Sequence, residues 1–283
     1  MSALMPPPAA FHAPRDPGGW VDAMKCIEIP VLASTAAALE DLREIEDAVD
    51  ARTITEALAH DPLMTLKVLV HAATHRSERR LNDAETVLEA LVLSGITPFF
   101  RDFGPQPTVE DRLARHPEAL EGLRDVMARA ERAARFAASF AIHRGDHDVT
   151  VLHEAAQLHD FAEMLLWLHA PELALEIRRR QQADPGLRSA AAQREVLNAE
   201  LNEVQHALMQ LWRLPEILVR STDDHQVENS QVRTVLLAIR LARHTTNGWD
   251  NPAIPDDVRD IATLLQLGVE PTREFLRSVE RGD

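Results

Sequence analysis

Several things are scarce in this sequence, and each scarcity excludes something. There is one Cys, Cys26, no Tyr, 4% aromatic residues, and only 10 Gly in 283 residues. A single Cys rules out an internal disulfide framework and points to a reducing compartment. Lys and Arg number 30 against 45 Asp and Glu, a formal charge of −15. Nonspecific nucleic-acid binding and adhesion to anionic membranes both need basic surface, so this charge argues against both. No apolar run reaches the ~18 residues that cross a bilayer. Pro6, Pro7 and Pro8 stand where an export signal would carry a basic start and an apolar core. There is no Gly-rich phosphate loop and no Gly-X-Ser-X-Gly elbow, so neither a nucleotide cofactor nor a serine nucleophile is indicated. The expectation is an acidic, cytoplasmic protein with no cofactor.

What the sequence has is helix. Ala and Leu abound, strict apolar/polar alternation is hard to find, and apolar residues recur at helical spacing. The fold class expected is all-α, with two helical subdomains: a small N-terminal bundle and a larger helical bundle. Residues 1–26 read as a flexible Pro-rich tail, since Pro14, Pro17, Gly18 and Gly19 oppose helix. Residues 27–105 form the first subdomain, with helices capped at Ser34 or Thr35, at Thr53 with Glu56, at Asp61-Pro62, and at Asn82 with Glu85, the last stopped by Gly95. Phe103-Gly104-Pro105-Gln106-Pro107 marks the boundary, and residues 106–283 form the second subdomain. Its helices run from Pro117 to Ile142, Val149 to Leu168, Pro171 onward, Ser189 to Trp212 and Gln231 to His244, with a short one at Pro215 and two more headed by Pro255 and Pro271. Trp167, Trp212 and Trp249 are expected as core or interface anchors.

The most informative dipeptide is His159-Asp160, within Leu152-His153-Glu154-Ala155-Ala156-Gln157-Leu158-His159-Asp160-Phe161-Ala162-Glu163. On a helix, adjacent side chains point about 100° apart. They can share a metal lying over the ridge between them, because imidazole and carboxylate are common ligands. Two ligands alone make a poor site, and the commoner role of such a pair is a structural hydrogen bond. His143, His147 and His153 crowd one junction, but across the Gly145 loop they read as exposed histidines rather than ligands. Arg178-Arg179-Arg180 is a basic run at a helix C-terminus, where cations complement the dipole.

The Leu-His-Asp setting resembles the helix that names the HD superfamily of metal-dependent phosphohydrolases. The wider pattern is similar to the HDOD branch, the HD-related output domains of bacterial signalling proteins. Ile29-Pro30-Val31-Leu32, His60-Asp61-Pro62-Leu63 with Lys67-Val68-Leu69, Asn82 to Val87 with Leu93-Ser94-Gly95, and Glu203-Val204 followed by Leu211-Trp212-Arg213-Leu214-Pro215 and His225 carry the resemblance in order over about 27–245. It implies an HD-like bundle for the second subdomain. It also implies four metal-ligand positions, of which only His159 and Asp160 survive. The first falls near Arg132, in a helix with no His from 117 to 142, and the last near Arg243. Glu163 stands where the superfamily commonly carries Lys, Ala162 where it carries Gly, and Leu201 where HDOD members often carry His before Glu-Val.

An Arg beside a divalent site repels the metal, so the expected arrangement is a remnant pocket of His159, Asp160, Arg132, Arg243, Glu163 and His225. In it Asp160 pairs with Arg132 or Arg243, without catalytic residues and without a metal. The leading expectation is a non-catalytic regulatory module for signal transduction, binding signalling proteins or a small ligand, with self-association into a homodimer left open. The alternative is a divergent phosphohydrolase acting on nucleotides or cyclic dinucleotides, with His153, Glu154, Glu163 or Asp224 replacing the lost ligands. A nucleic-acid regulator comes third, and would need a basic patch at Arg178–Arg180.

Overall fold

The computed structural model describes residues 12–75, 84–184, 186–221 and 229–282, and every regular element among them is helical. In chain order these are α1 (Pro17–Met24), α2 (Ala33–Glu44), α3 (Ala51–Leu58), α4 (Pro62–Thr74), α5 (Val87–Ser94), α6 (Ile96–Asp102) and α7 (Val109–Arg112). They continue with α8 (Pro117–Arg144), α9 (Val149–Gln157), α10 (Phe161–His169), α11 (Pro171–Ala183), α12 (Ser189–Leu197) and α13 (Leu201–Trp212). The last are α14 (Glu216–Arg220), α15 (Ser230–His244), α16 (Ile254–Leu265) and α17 (Val269–Arg281). The chain is all-α. Among the described residues the one β-type pairing is an isolated parallel bridge between Val31 and Thr108.

Buried apolar side chains fall into two clusters that meet at α4. Met64 and Val68 face a smaller cluster with Leu39, Ile54, Leu58, Leu91 and Phe99. Leu63, Leu66 and Leu69 face a larger one built on α8, whose inward face is Ala130, Ala133, Ala137 and Ala141 with Phe136 and Phe140. Small residues along α8 let α9, α10 and α15 approach it closely. The segment expected as a boundary is tied back to the N-terminal part. Val31 N donates to Pro107 O at 2.9 Å, Val109 N to Val31 O at 2.8 Å, and Lys67 Nζ to Ile29 O at 2.9 Å.

Several expected boundaries move, for physical reasons. Residues 17–24 are helix, not tail. Asp16 caps Gly19 N at 2.8 Å and Pro17 takes the first helical position, where a missing N–H costs nothing. Trp20 is fully buried and its Nε1 donates to Leu197 O at 2.8 Å. Burying an indole removes roughly 200 Å² from water, or about 5 kcal/mol, which outweighs about 1 kcal/mol for each helical Gly. The helix expected over 189–212 is two, α12 and α13, because Asn198 turns left-handed at φ 57°. Gly95, at φ 86°, ends α5 as expected but also leads directly into α6, which has no separate sequence signal.

Caps move too. Asp50, not Thr53, caps α3, accepting from Thr53 N at 2.8 Å. Thr86 caps α5, while Asn82 lies outside the described residues. Neither Ser34 nor Thr35 caps α2. Its first amides are met from a distance, Leu32 N by Asp61 Oδ2 at 2.8 Å and Ala33 N by Glu110 Oε2 at 3.0 Å. Asp61 itself caps α4 as expected, accepting from Leu63 N and Met64 N.

Candidate functional site

His159 and Asp160 do not lie on a helix. The helix expected from Val149 to Leu168 is interrupted, and residues 158–160 form the turn between α9 and α10. No Gly or Pro marks that break. It is held by Gln205 of α13, a buried amide whose Oε1 accepts from Ala162 N at 3.1 Å and whose Nε2 donates to His159 O. A buried amide making both bonds fixes a turn that its own residues do not encode.

The turn brings Asp160 between two arginines. Arg243 Nη2 of α15 donates to Oδ1 at 2.6 Å. Arg129 of α8 donates to Oδ2 from Nε at 3.2 Å and Nη2 at 3.0 Å, and its Nη2 also reaches Glu163 Oε2 at 2.7 Å. His159 Nδ1 lies 3.2 Å from Asp160 Oδ1. Side-chain exposure is 9% for His159, 11% for Asp160 and 20% for Arg129, but 47% for Arg243. Arg243 therefore closes the cluster from the solvent side.

The electrostatics follow from that packing. Burial by itself pushes the Asp160 carboxyl up, but Arg243, the His159 hydrogen bond and Arg129 outweigh it and hold the group well below the usual carboxylate range. Glu163 shares only Arg129, and burial together with the neighbouring Asp160 charge pushes its carboxyl up. Burial lowers Arg129, and the Glu163 and Asp160 charges more than reverse that. Asp160 thus carries the fixed negative charge of the cluster.

Of the six residues expected in the remnant pocket, the structure brings four together: His159, Asp160, Glu163 and Arg243. Arg132 is elsewhere. Its Nη1 donates to Thr245 O at 3.0 Å and its Nη2 lies 3.1 Å from Glu280 Oε1 of α17. Its expected place is taken by Arg129, one turn earlier on α8 and so on the same face. The reason is reach: the 158–160 turn lies beside the earlier turn of α8, whereas Arg132 lies beside the end of α15. Sequence reasoning missed Arg129 and Gln205. The helical repeat offered a signal for the first and nothing offered one for the second. His225 lies outside the described residues, as does Asp224.

An HD-type metal does not fit these residues. Both Asp160 oxygens are taken by guanidinium groups, and a dication there would face two cations across a few ångströms. Of the substitutes weighed from the sequence, Glu163 is held by Arg129 within the cluster, and Glu154 and His153 are engaged elsewhere. Both Glu154 oxygens accept from Val87 N, at 3.2 and 3.1 Å, and burial pushes that carboxyl up to about 8. His153 faces Glu131 and His60 instead, and burial lowers it. Among the described residues no three His, Cys, Asp or Glu side chains are arranged to hold a metal ion. His143 packs on Phe275, with ring centroids 5.5 Å apart.

The other features singled out by sequence are accounted for locally. Arg178 pairs with Asp125 at 2.8 Å, Arg179 lies 3.7 Å from Glu118, and Arg180 pairs with Glu176 and Glu195, so the basic run is matched by acid. Trp167 and Trp212 are each 5% exposed, and Trp249 stacks under Arg277 and bonds Glu280. No helix among the described residues is long and apolar enough to cross a membrane.

Fold and site together define an all-helical protein whose His-Asp turn is closed by guanidinium groups. A family model for the HDOD domain matches residues 29–227, and the chain belongs to that family. Among solved structures it is similar to the MmoQ response regulator from Methylococcus capsulatus str. Bath, with 21% identity, 89% of this chain and 98% of that chain covered, and a TM-score of 0.68. It is also similar to a virulence factor from Campylobacter jejuni subsp. jejuni, with 15% identity, 94% and 99% covered, and a TM-score of 0.63. At these identities the likeness is one of fold. No curated protein sequence matches the chain.

Proposed function

We propose that this protein is a non-catalytic signalling module of the cytoplasm, working by binding a partner protein or a small ligand, with arginines in place of the metal centre. The observation that carries this reading is the pairing of Asp160 with both Arg129 and Arg243. A carboxylate so engaged cannot also serve as a metal ligand or general base without breaking two ion pairs, of which the Arg129 pair is largely buried. The family and the response-regulator name of a similarly folded protein support a place in signal transduction. Two apolar clusters meeting at α4 support reading the chain as two helical units divided near residue 105. The net charge of −15, with Arg178–Arg180 matched by acid, speaks against nucleic acid as the partner.

The test is an assay of phosphate release from nucleotides and cyclic dinucleotides with Mn²⁺, Fe²⁺ or Ni²⁺ added, on the wild-type chain and on Asp160→Asn. The expected result is no turnover above the no-protein control in either. Turnover abolished by Asp160→Asn would establish the phosphohydrolase alternative instead.

A further inference from the structure

A cavity of about 230 Å³ lies between α4, α5 and α6, and it shares no residue with the Asp160 cluster. Its apolar lining includes Val68, Leu69, Ala90 and Phe99, each nearly fully buried. Along one wall four rings pack in succession at tilted to edge-on angles, 36°, 56° and 77°. Phe99 and Phe103 have centroids 4.9 Å apart, Phe103 and His71 4.9 Å, and His71 and His75 4.0 Å. In a chain with eight Phe, three stand at 99, 100 and 103. Aromatic side chains gathered at a cavity offer ring contact to a planar ligand, edge-on as well as offset. An engineered apolar cavity of about 150 Å³ holds benzene, so this volume suits one fused bicycle.

The polar part of the lining is cationic on balance. Arg101 takes both oxygens of Asp102, at 2.8 and 3.2 Å, which neutralises that pair. His71 Nε2 lies 3.5 Å from the same carboxylate, yet burial, reinforced by His75, lowers its pKa and keeps the imidazole neutral near pH 7. Arg213, from the loop between α13 and α14, also lines the cavity. It is exposed, and its guanidinium has no ion-pair partner among the described residues. Its backbone sits at φ 53°, a left-handed conformation that any side chain beyond Gly strains. That conformation is the C-cap of α13, and since no carboxylate among the described residues pairs with Arg213, its charge is open to a ligand in the cavity.

We propose that this cavity binds a small planar aromatic anion, the ring system packed against Phe99, Phe103 and His71 and the anionic group paired with Arg213. This deepens the proposed function by naming the kind of ligand that would address the module, and it rests on that reading. The wall supplies apolar and aromatic contact, and Arg213 supplies a guanidinium with no ion-pair partner among the described residues. A carboxylate on the ligand would gain a charge-assisted bond there that a neutral analogue would not.

The probe is 2-naphthoate, with 2-naphthalenemethanol as its neutral counterpart, titrated into the full chain by NMR and calorimetry. Saturable one-site binding of naphthoate is expected, with amide shifts centred on α4, α6 and residues 212–215. Arg213→Gly should weaken naphthoate about tenfold or more, the worth of one charge-assisted bond, and leave the alcohol within about twofold. Because Gly relieves the left-handed strain, this variant should fold at least as stably as wild type, which separates a binding loss from misfolding. Ala72→Phe, which fills the cavity, should abolish both. Failure of naphthoate to saturate, shifts centred elsewhere, or an Arg213→Gly affinity equal to wild type would overturn the proposal. The phosphate-release assay judges the parent reading independently of these outcomes.

Discussion

Arg243 Nη2 stands 2.6 Å from Asp160 Oδ1 while Arg129 holds the opposite oxygen, so one carboxylate at a helix–turn–helix joins α8, α10 and α15. The two arginines are not equivalent, because Arg129 is 20% exposed and Arg243 47%. Asp160→Ala should leave the largely buried Arg129 guanidinium with Glu163 as its remaining carboxylate and cost about 1.5–3 kcal/mol, the range for hydrogen bonds to a charged group. Arg243→Ala should cost no more than about 1 kcal/mol, as exposed pairs do. Urea unfolding of both variants measures this, and equal losses would contradict the described burial.

The same carboxylate has a pH signature. Its folded pKa lies below its unfolded value, so its contribution is present above the unfolded pKa and is lost as pH falls through the folded one. The difference in stability between wild type and Asp160→Asn should therefore be constant from pH 5 to 8 as far as Asp160 is concerned, and should shrink only below about pH 4.

Glu154 has the opposite sign. Its folded carboxyl is pushed up to about 8, chiefly by burial, from an unfolded value near 4.5. Its contribution is complete below that unfolded value and is lost as pH rises through about 8, with a slope of at most about 1.4 kcal/mol per pH unit. Glu154→Gln keeps an acceptor for Val87 N and removes the titration. Stability measured from pH 6 to 8.5 should fall less steeply in the variant, and parallel curves would refute the assignment.

Gly122→Ala in α8 would ordinarily stabilise a helix by about 1 kcal/mol. Here a Cβ would stand 2.4 Å from Trp167 Cη2 and 2.6 Å from its Cζ2. The ring is buried and wedged against α8, so the variant should be less stable by about 1–3 kcal/mol, read as a lower Tm.

Arg132 holds the C-terminal helix, not the Asp160 cluster, through Glu280 and the Thr245 carbonyl. Arg132→Ala should speed amide exchange across residues 269–281 and leave the protection of residues 158–163 unchanged. Equal effects on both segments would place Arg132 back in the cluster.

How far the sequence could be read differs from element to element. Asp61-Pro62, Gly145 and Pro171 punctuate helices through local chemistry, and those ends fall where local rules put them. The break at 158–160 and the departure of α2 from Ser34 or Thr35 capping are imposed by distant groups, Gln205 in one case and Asp61 with Glu110 in the other. The burial of Trp20 is not legible locally because it depends on α12 and α13, some 180 positions away, while the nearby signals are Pro and Gly. The His-Asp pair and Arg243 were legible as a cluster because a cation at a ligand position has a chemical meaning. Arg129 was one helical turn from where alignment placed its role.

The central claim, that arginines have taken the place of a metal centre, is tested most directly by elemental analysis of the purified full chain, wild type beside Asp160→Asn. The account predicts no stoichiometric Fe, Mn, Zn or Ni in either protein. One or more equivalents in the wild type, lost in Asp160→Asn, would contradict it.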